Sequence, residues 1–211
     1  MDFELPSQSL RAVIPPVAPS IESSRLILRP ATDSDIPALF AVRSRPEVAA
    51  TNYPKEPFKT FKETREWWAS KVFTEPAAAF GRSFSFVILD KSIPDTDEQV
   101  IGYVSINEVE PCPEIGYSLL PESWGKGFAT EALRMMLKMW WDLPRRNWGD
   151  DDDNQAEKVY AIFEKINPGS RAVLTKCGFA NENFRSELLC VYGLARPAIS
   201  SDAGQELYHY I

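Results

Sequence analysis

At 211 residues the chain has room for one domain with some extra length, and two full domains would be cramped. Hydrophobic residues make up 44% and charged residues 25%, which excludes wholesale disorder. Lys and Arg number 23 against 30 Asp and Glu, a net charge of −7 that argues against a nucleic-acid partner.

Cys112, Cys177 and Cys190 have spacings that match neither a disulfide framework nor a metal pair, and His209 is the only histidine, so we expect a reducing compartment and no zinc. There is no basic opening ahead of an apolar stretch and no run of ~18 apolar residues, so a soluble, cytoplasmic protein with no membrane partner is expected.

Residues 1–23 carry Pro6, Pro15, Pro16 and Pro19 and read as an extended arm on the surface, ahead of one domain over 24–211. Leu26 to Pro30 forms a short strand pattern, and Thr32 with Asp35 resembles a capping box for a helix bearing Ile36, Leu39, Phe40 and Arg43. Thr60 with Glu63 is a better box, opening a helix with Phe61, Thr64, Trp68 and Val72 on one face. Trp67 is turned away from that face and reads as a rim residue, with substrate contact as the alternative.

Phe84 to Leu89 and Val100 to Asn107 are β-rich and flank the turn composition Pro94-Asp95-Thr96-Asp97, which predicts antiparallel neighbours. A strand from Glu114 ends at Pro121, and Trp124-Gly125-Lys126-Gly127-Phe128-Ala129 leads into a long helix whose stripe is Ala129, Leu133, Met136, Leu137 and Trp140. Pro144 stops that helix. Asp150 to Asp153 reads as a solvated loop, with an acidic trap for a basic substrate as the alternative.

Val159 to Phe163 gives another strand. Asn167-Pro168-Gly169-Ser170 then opens a short helix ending at Gly178, and strands are expected near Phe184 to Val191 and Gln205 to Tyr210.

The strand-to-helix junction at Gly125 and Gly127 is the part that suggests chemistry. A helix start leaves N–H groups unpaired and carries partial positive charge, so it suits an anion such as phosphate. The dinucleotide-binding pattern fails because Thr130 stands where its third glycine belongs, and the P-loop pattern fails because Phe128 follows the Gly-Lys pair where Ser or Thr would hold magnesium. A plain tight connection is the alternative.

About forty residues later comes Asn167-Pro168-Gly169-Ser170-Arg171-Ala172-Val173-Leu174-Thr175-Lys176-Cys177-Gly178-Phe179. With Arg25-Leu26-Ile27-Leu28-Arg29-Pro30 and Glu114-Ile115-Gly116-Tyr117, this makes the chain from about Ser24 onward resemble the GNAT acyltransferase superfamily, in particular its Rim-type ribosomal-protein N-acetyltransferases.

The resemblance implies an α+β fold: a mixed, mostly antiparallel twisted sheet of about seven strands with helices on both faces. It also implies acetyl-CoA as co-substrate and an amine acceptor as the other partner, in a monomer or homodimer. The diphosphate would sit on the turn Trp124, Gly125, Lys126, Gly127, Phe128, Ala129 and Thr130, although Trp124 replaces the family's usual Gln or Arg. Ser118, Leu119 and Leu120 would run beside the pantetheine arm, with Asn167 and Ser170 closing the other side. Asn167 is equally suited to cap its helix.

The implied reaction is direct acetyl transfer to a primary amine, either a protein N-terminal α-amine or a small molecule. A lysine-like amine with pKa ~10.4 is neutral in about one molecule per few thousand at pH 7, a penalty of roughly 4–5 kcal/mol, against about 1 kcal/mol for an α-amine near ~8.

Glu114 is the candidate base, with a plain surface position as its alternative, and Glu108 and Asn107 on the preceding strand are the next candidates for handling the amine. The family's usual tyrosine acid has no counterpart near Leu174 and Thr175, which leaves Cys177, Tyr117 or water. Cys177 as a nucleophile lacks an activating histidine and reads as structural, and His209 reads as a strand-surface residue. The reading from another class is a non-catalytic module that senses or presents acyl-CoA.

Overall fold

The structure is a computed structural model that describes residues 7–94, 99–146, 156–182, 186–197 and 209–210. Among the described residues nine strands run β1 Ile21–Glu22, β2 Leu26–Pro30, β3 Phe84–Asp90, β4 Val100–Glu108, β5 Glu114–Leu119, β6 Lys158–Glu164, β7 Ala180–Asn181, β8 Leu189–Ala195 and β9 His209–Tyr210. They form one sheet in the order β7-β8-β6-β5-β4-β3-β2-β1-β9. Every neighbouring pair is antiparallel except β5 and β6. The count exceeds the expected seven because β1, β7 and β9 are two-residue pairings, too short to leave a periodic pattern.

Five helices accompany the sheet: α1 Ile36–Arg43, α2 Pro46–Ala49, α3 Phe61–Ala69, α4 Phe128–Asp142 and α5 Pro168–Lys176. β3 is buried along its whole length, and its period-2 alternation divides it between two cores. Phe84, Phe86 and Ile88 face the layer of α4, where Leu133, Met136 and Trp140 are fully buried. Val87 and Leu89 meet Leu39 and Val42 of α1, against which Trp67 and Trp68 of α3 also pack. Helices therefore cover both faces, and each fully buried Leu or Phe contributes roughly 1.5–3 kcal/mol.

The helix starts follow the sequence signals. Thr60 Oγ1 accepts from the Glu63 N–H at 3.1 Å while Glu63 returns to the Thr60 N–H, and Thr32 and Asp35 form the same reciprocal box. α4 ends one residue before Leu143, whose extended backbone the following Pro144 favours.

Two expectations need revision. The arm does not simply lie on the surface: Leu10, Ala12, Ile14 and Ala18 enter the main core beside the residues of α4, and Ile21 starts β1. The strand expected from Phe184 begins instead at Leu189, because Ser186 Oγ accepts from the Leu188 and Leu189 N–H groups and turns the chain there. Most of the expected 94–97 turn, the Asp150 to Asp153 run and most of the expected last strand lie outside the described residues. No helix among the described residues is long and apolar enough to cross a membrane.

Candidate active site

β5 and β6 lie parallel and pair at a single point, Glu114 with Tyr160. A parallel pair requires a crossover, and α4 supplies it. Past Glu114 the two strands part, so β5 keeps an open side facing β6 while its other side is paired to β4 through Leu119. An extended chain can lie along such an edge.

The start of α4 points at this opening. Gly127 is the N-cap with φ +82°, a left-handed backbone that side chains disfavour, and it has no side chain to cap the helix. The first helical bond runs from the Glu131 N–H to the Gly127 carbonyl, which leaves the N–H groups of Phe128, Ala129 and Thr130 to an external acceptor.

The turn is fastened from outside by Arg25. Its guanidinium donates to the Lys126 carbonyl at 3.1 Å, pairs with Glu131 and lies 4.8 Å from the centre of the Phe128 ring. Trp124, the departure from the family pattern, donates its indole N–H to the Leu119 carbonyl at 2.8 Å and so pins the loop to β5.

A groove of about 450 Å³ runs through this opening. Ser118, Leu119, Trp124, Gly125, Gly127, Phe128, Ala129, Thr130, Asn167 and Ser170 all line it, so the structure brings together ten of the twelve residues expected around the cofactor. Leu120 packs instead with the α1 core, and the Lys126 side chain is exposed outside the groove. Asn167 caps α5, its Oδ1 accepting from the Ser170 N–H at 2.9 Å. Cys177 Sγ is 3.6 Å from the Thr130 carbonyl, and burial pushes its thiol up to about 11, so it ties α5 to α4 as an inert thiol.

A second cavity, of about 390 Å³, adjoins the first. Thr51, Asn52, Tyr117 and Ser170 line both. Ser118 Oγ donates to Asn52 Oδ1 at 2.9 Å across the junction. The Tyr117 hydroxyl is buried there beside Ser170, which interacts with it, and burial pushes it up to about 12.

Glu114 lies in the second cavity, half-buried, and burial raises its carboxyl above the ordinary 4.5, partly opposed by a hydrogen bond from Asn107. Asn107 Nδ2 is 3.4 Å from Glu114 Oε1, and Asn107 Oδ1 accepts from Lys71 Nζ at 2.6 Å and from Ser105 Oγ at 2.7 Å. Lys71, Asn107 and Glu114 thus form a polar row along one wall. Glu108 stands exposed at the end of β4 and does not line the cavity.

Trp67 is half-buried in the same wall rather than on the rim, 5.1 Å from Tyr103 ring to ring and 5.4 Å from Lys71 Nζ. Behind it the Arg43 guanidinium is fully buried, 4.7 Å from the Phe58 ring centre and 5.2 Å from that of Trp67. Lys71, Asn52 and Arg25 were not anticipated as site residues: Lys71 and Asn52 lie far in sequence from the motifs, and Arg25, although it opens one of them, reaches the turn before α4 only through the fold.

A mixed sheet opened at one parallel junction, with an uncapped helix start aimed into the opening, is the architecture of an acyltransferase of GNAT type. The model of the acetyltransferase (GNAT) domain matches residues 25–180, and the chain belongs to that family. It is 27% identical over 174 residues to the uncharacterized N-acetyltransferase YoaA of Bacillus subtilis strain 168, covering 78% of this chain and 84% of that protein.

Among solved structures, a probable GNAT-family acetyltransferase from Chromobacterium violaceum superposes with a TM-score of 0.65 at 20% identity, covering 93% of this chain and 95% of that one. Spermidine N-acetyltransferase from Vibrio cholerae, in complex with CoA and spermine, gives 0.58 at 20% identity, covering 82% and 97%. RimL, a ribosomal L7/L12 α-N-protein acetyltransferase in complex with CoA, gives 0.59 at 18% identity, covering 82% and 95%. These likenesses show the fold.

Proposed function

We propose that the protein moves an acetyl group from acetyl-CoA to a primary amine by direct attack. The observation that carries this reading is the junction of two cavities, one ending in free helix-start N–H groups and the other holding Glu114, with Tyr117 and Ser170 on their shared wall. The bound co-substrate supplies an activated acyl group as a thioester.

The N–H groups of Phe128, Ala129 and Thr130 hold its diphosphate, and the open side of β5 aligns its pantetheine arm. Complexes with CoA among the structural neighbours support this placement. Glu114 takes the proton from the amine, directly or through water, and its raised affinity for protons matches it to that task. The new C–N bond forms at the acyl carbon as the C–S bond breaks. Tyr117, whose buried hydroxyl stands beside Ser170 at the junction of the two cavities, donates a hydrogen bond to the departing sulfur.

The acceptors named for the neighbours range from a polyamine to a protein α-amine, so the Rim-type likeness does not select one. An α-amine is favoured because it is far less protonated at neutral pH than a lysine-like amine. Replacing Glu114→Gln tests the reading against a non-catalytic acyl-CoA-binding module. Thiol release falls by about 10²–10³-fold while CoA affinity is retained; release at the native rate would remove Glu114 from the mechanism.

A further inference from the structure

Lys71 is a cation placed where a polyamine-acetylating enzyme would be expected to avoid one. Its stem follows α3, its ammonium lies over the Trp67 ring, and its one hydrogen-bond acceptor among the described residues is Asn107 Oδ1 at 2.6 Å. An ammonium carries three donors, and Lys71 lines the cavity, so a ligand there can engage the donors that Asn107 does not. The fully buried Arg43 behind Trp67 adds a second cation, and among the described residues neither forms an ion pair with a carboxylate. The other lysine of the cavity, Lys55, is already paired with Glu164 at 2.6 Å.

The Asn107 carboxamide shows what this wall accepts. Its oxygen receives from Lys71 and its nitrogen donates to Glu114. A zwitterionic headgroup has the same polarity at nearly the same span, with a carboxylate to receive from Lys71 and an ammonium to donate to Glu114.

We propose that the acceptor is a free α-amino acid, its carboxylate held by Lys71 and its α-amine by Glu114. This rests on the proposed transfer reaction and on Glu114 as its base. Lys71 acts as a specificity-determining residue: it draws in an amine with a neighbouring carboxylate and repels a polycation. On turnover the ammonium gives one proton to Glu114, the freed α-nitrogen bonds the acetyl carbon as the C–S bond breaks, and the second nitrogen proton passes through water to the departing thiolate, which leaves as the thiol.

The test measures thiol release from acetyl-CoA with common L-α-amino acids, their α-carboxamides, spermidine and a short peptide amine. The native enzyme should favour at least one amino acid over its carboxamide by about tenfold or more in kcat/KM, although the carboxamide has the less basic amine. Lys71→Met should raise KM for that amino acid with a smaller change in kcat and bring the ratio near one, and Lys71→Arg should restore part of it. A native preference for carboxamide, peptide or spermidine, or a ratio that survives Lys71→Met, overturns the proposal. CoA-dependent melting verifies that the variants fold and bind the coenzyme, and thiol release with any amine tests the transfer reading separately. Should no amine release thiol, calorimetry of the same amino acids against the CoA-loaded protein decides: binding weakened by Lys71→Met upholds the site, and absence of binding overturns it.

Discussion

Gly116 is the position at which a single methyl group tests the polar row. It sits on β5 between Glu114 and Ser118, and a Cβ built there would lie 2.5 Å from Asn107 Nδ2 and 3.3 Å from Asn107 Cγ and Oδ1. Real Cβ atoms do not approach so closely, so Gly116→Ala obliges the Asn107 carboxamide to rotate. Rotation breaks the charge-assisted bond from Lys71, a loss of roughly 1.5–3 kcal/mol, and the neutral bond from Ser105, a loss of about 1 kcal/mol.

Partial re-pairing to water in the cavity reduces the sum, so we expect about 2–3 kcal/mol of destabilisation, or a melting temperature lower by about 4–10 °C for a chain of this size. Glu114 loses its hydrogen bond as well, and kcat/KM should fall about 10–100-fold while the CoA groove, lined by other side chains, keeps its affinity. Differential scanning fluorimetry and a thiol-release assay read both quantities. A Gly116→Ala protein with native melting and native rate would show that Asn107 does not hold this position.

Other consequences are open to measurement. Burial raises the Glu114 carboxyl, so the acid limb of kcat should lie above pH 4.5, with activity growing as pH rises through the raised value. The same shift means the protonated form favours the folded state, a contribution that fades as pH rises through that value. Asn107→Ala removes the hydrogen bond that opposes the shift and should move the limb to higher pH; a limb that stays in place would show that Asn107 does not tune Glu114. Gly127→Glu forces a side chain into the φ +82° backbone, at a cost of roughly 1–2 kcal/mol, and places a carboxylate at the anion seat. The melting shift produced by CoA should disappear in that variant, and its persistence would place the coenzyme elsewhere.

The chain reveals its fold and its site unequally. The Thr60-Glu63 box, the stripe of α4 and the proline after it were legible because they are local: neighbours within one helical turn decide them. The proposed anion seat rests on signals of the same local kind, since the two glycines and the helix start lie within six residues. Lys71 was not, because its meaning comes from contacts with Asn107 across the cavity and with the Trp67 ring, which only the fold makes.

Trp67 looked like a rim residue from its helical angle, yet the buried Arg43 beneath it and Tyr103 beside it make it part of the cavity wall. Prolines at 15, 16 and 19 gave no sign that Ala12, Ile14 and Ala18 would enter the core. Extended chain without periodicity discloses its conformation and conceals its partner.

The central claim is that the start of α4 holds the diphosphate of the co-substrate while its acyl end reaches the cavity of Glu114. A crystal structure of the protein with CoA tests it most directly. The account predicts diphosphate oxygens within hydrogen-bond distance of the Phe128, Ala129 and Thr130 amides, and the thiol at the junction beside Tyr117 and Ser170. Coenzyme bound away from the 125–130 turn, or a thiol directed away from Glu114, would contradict it.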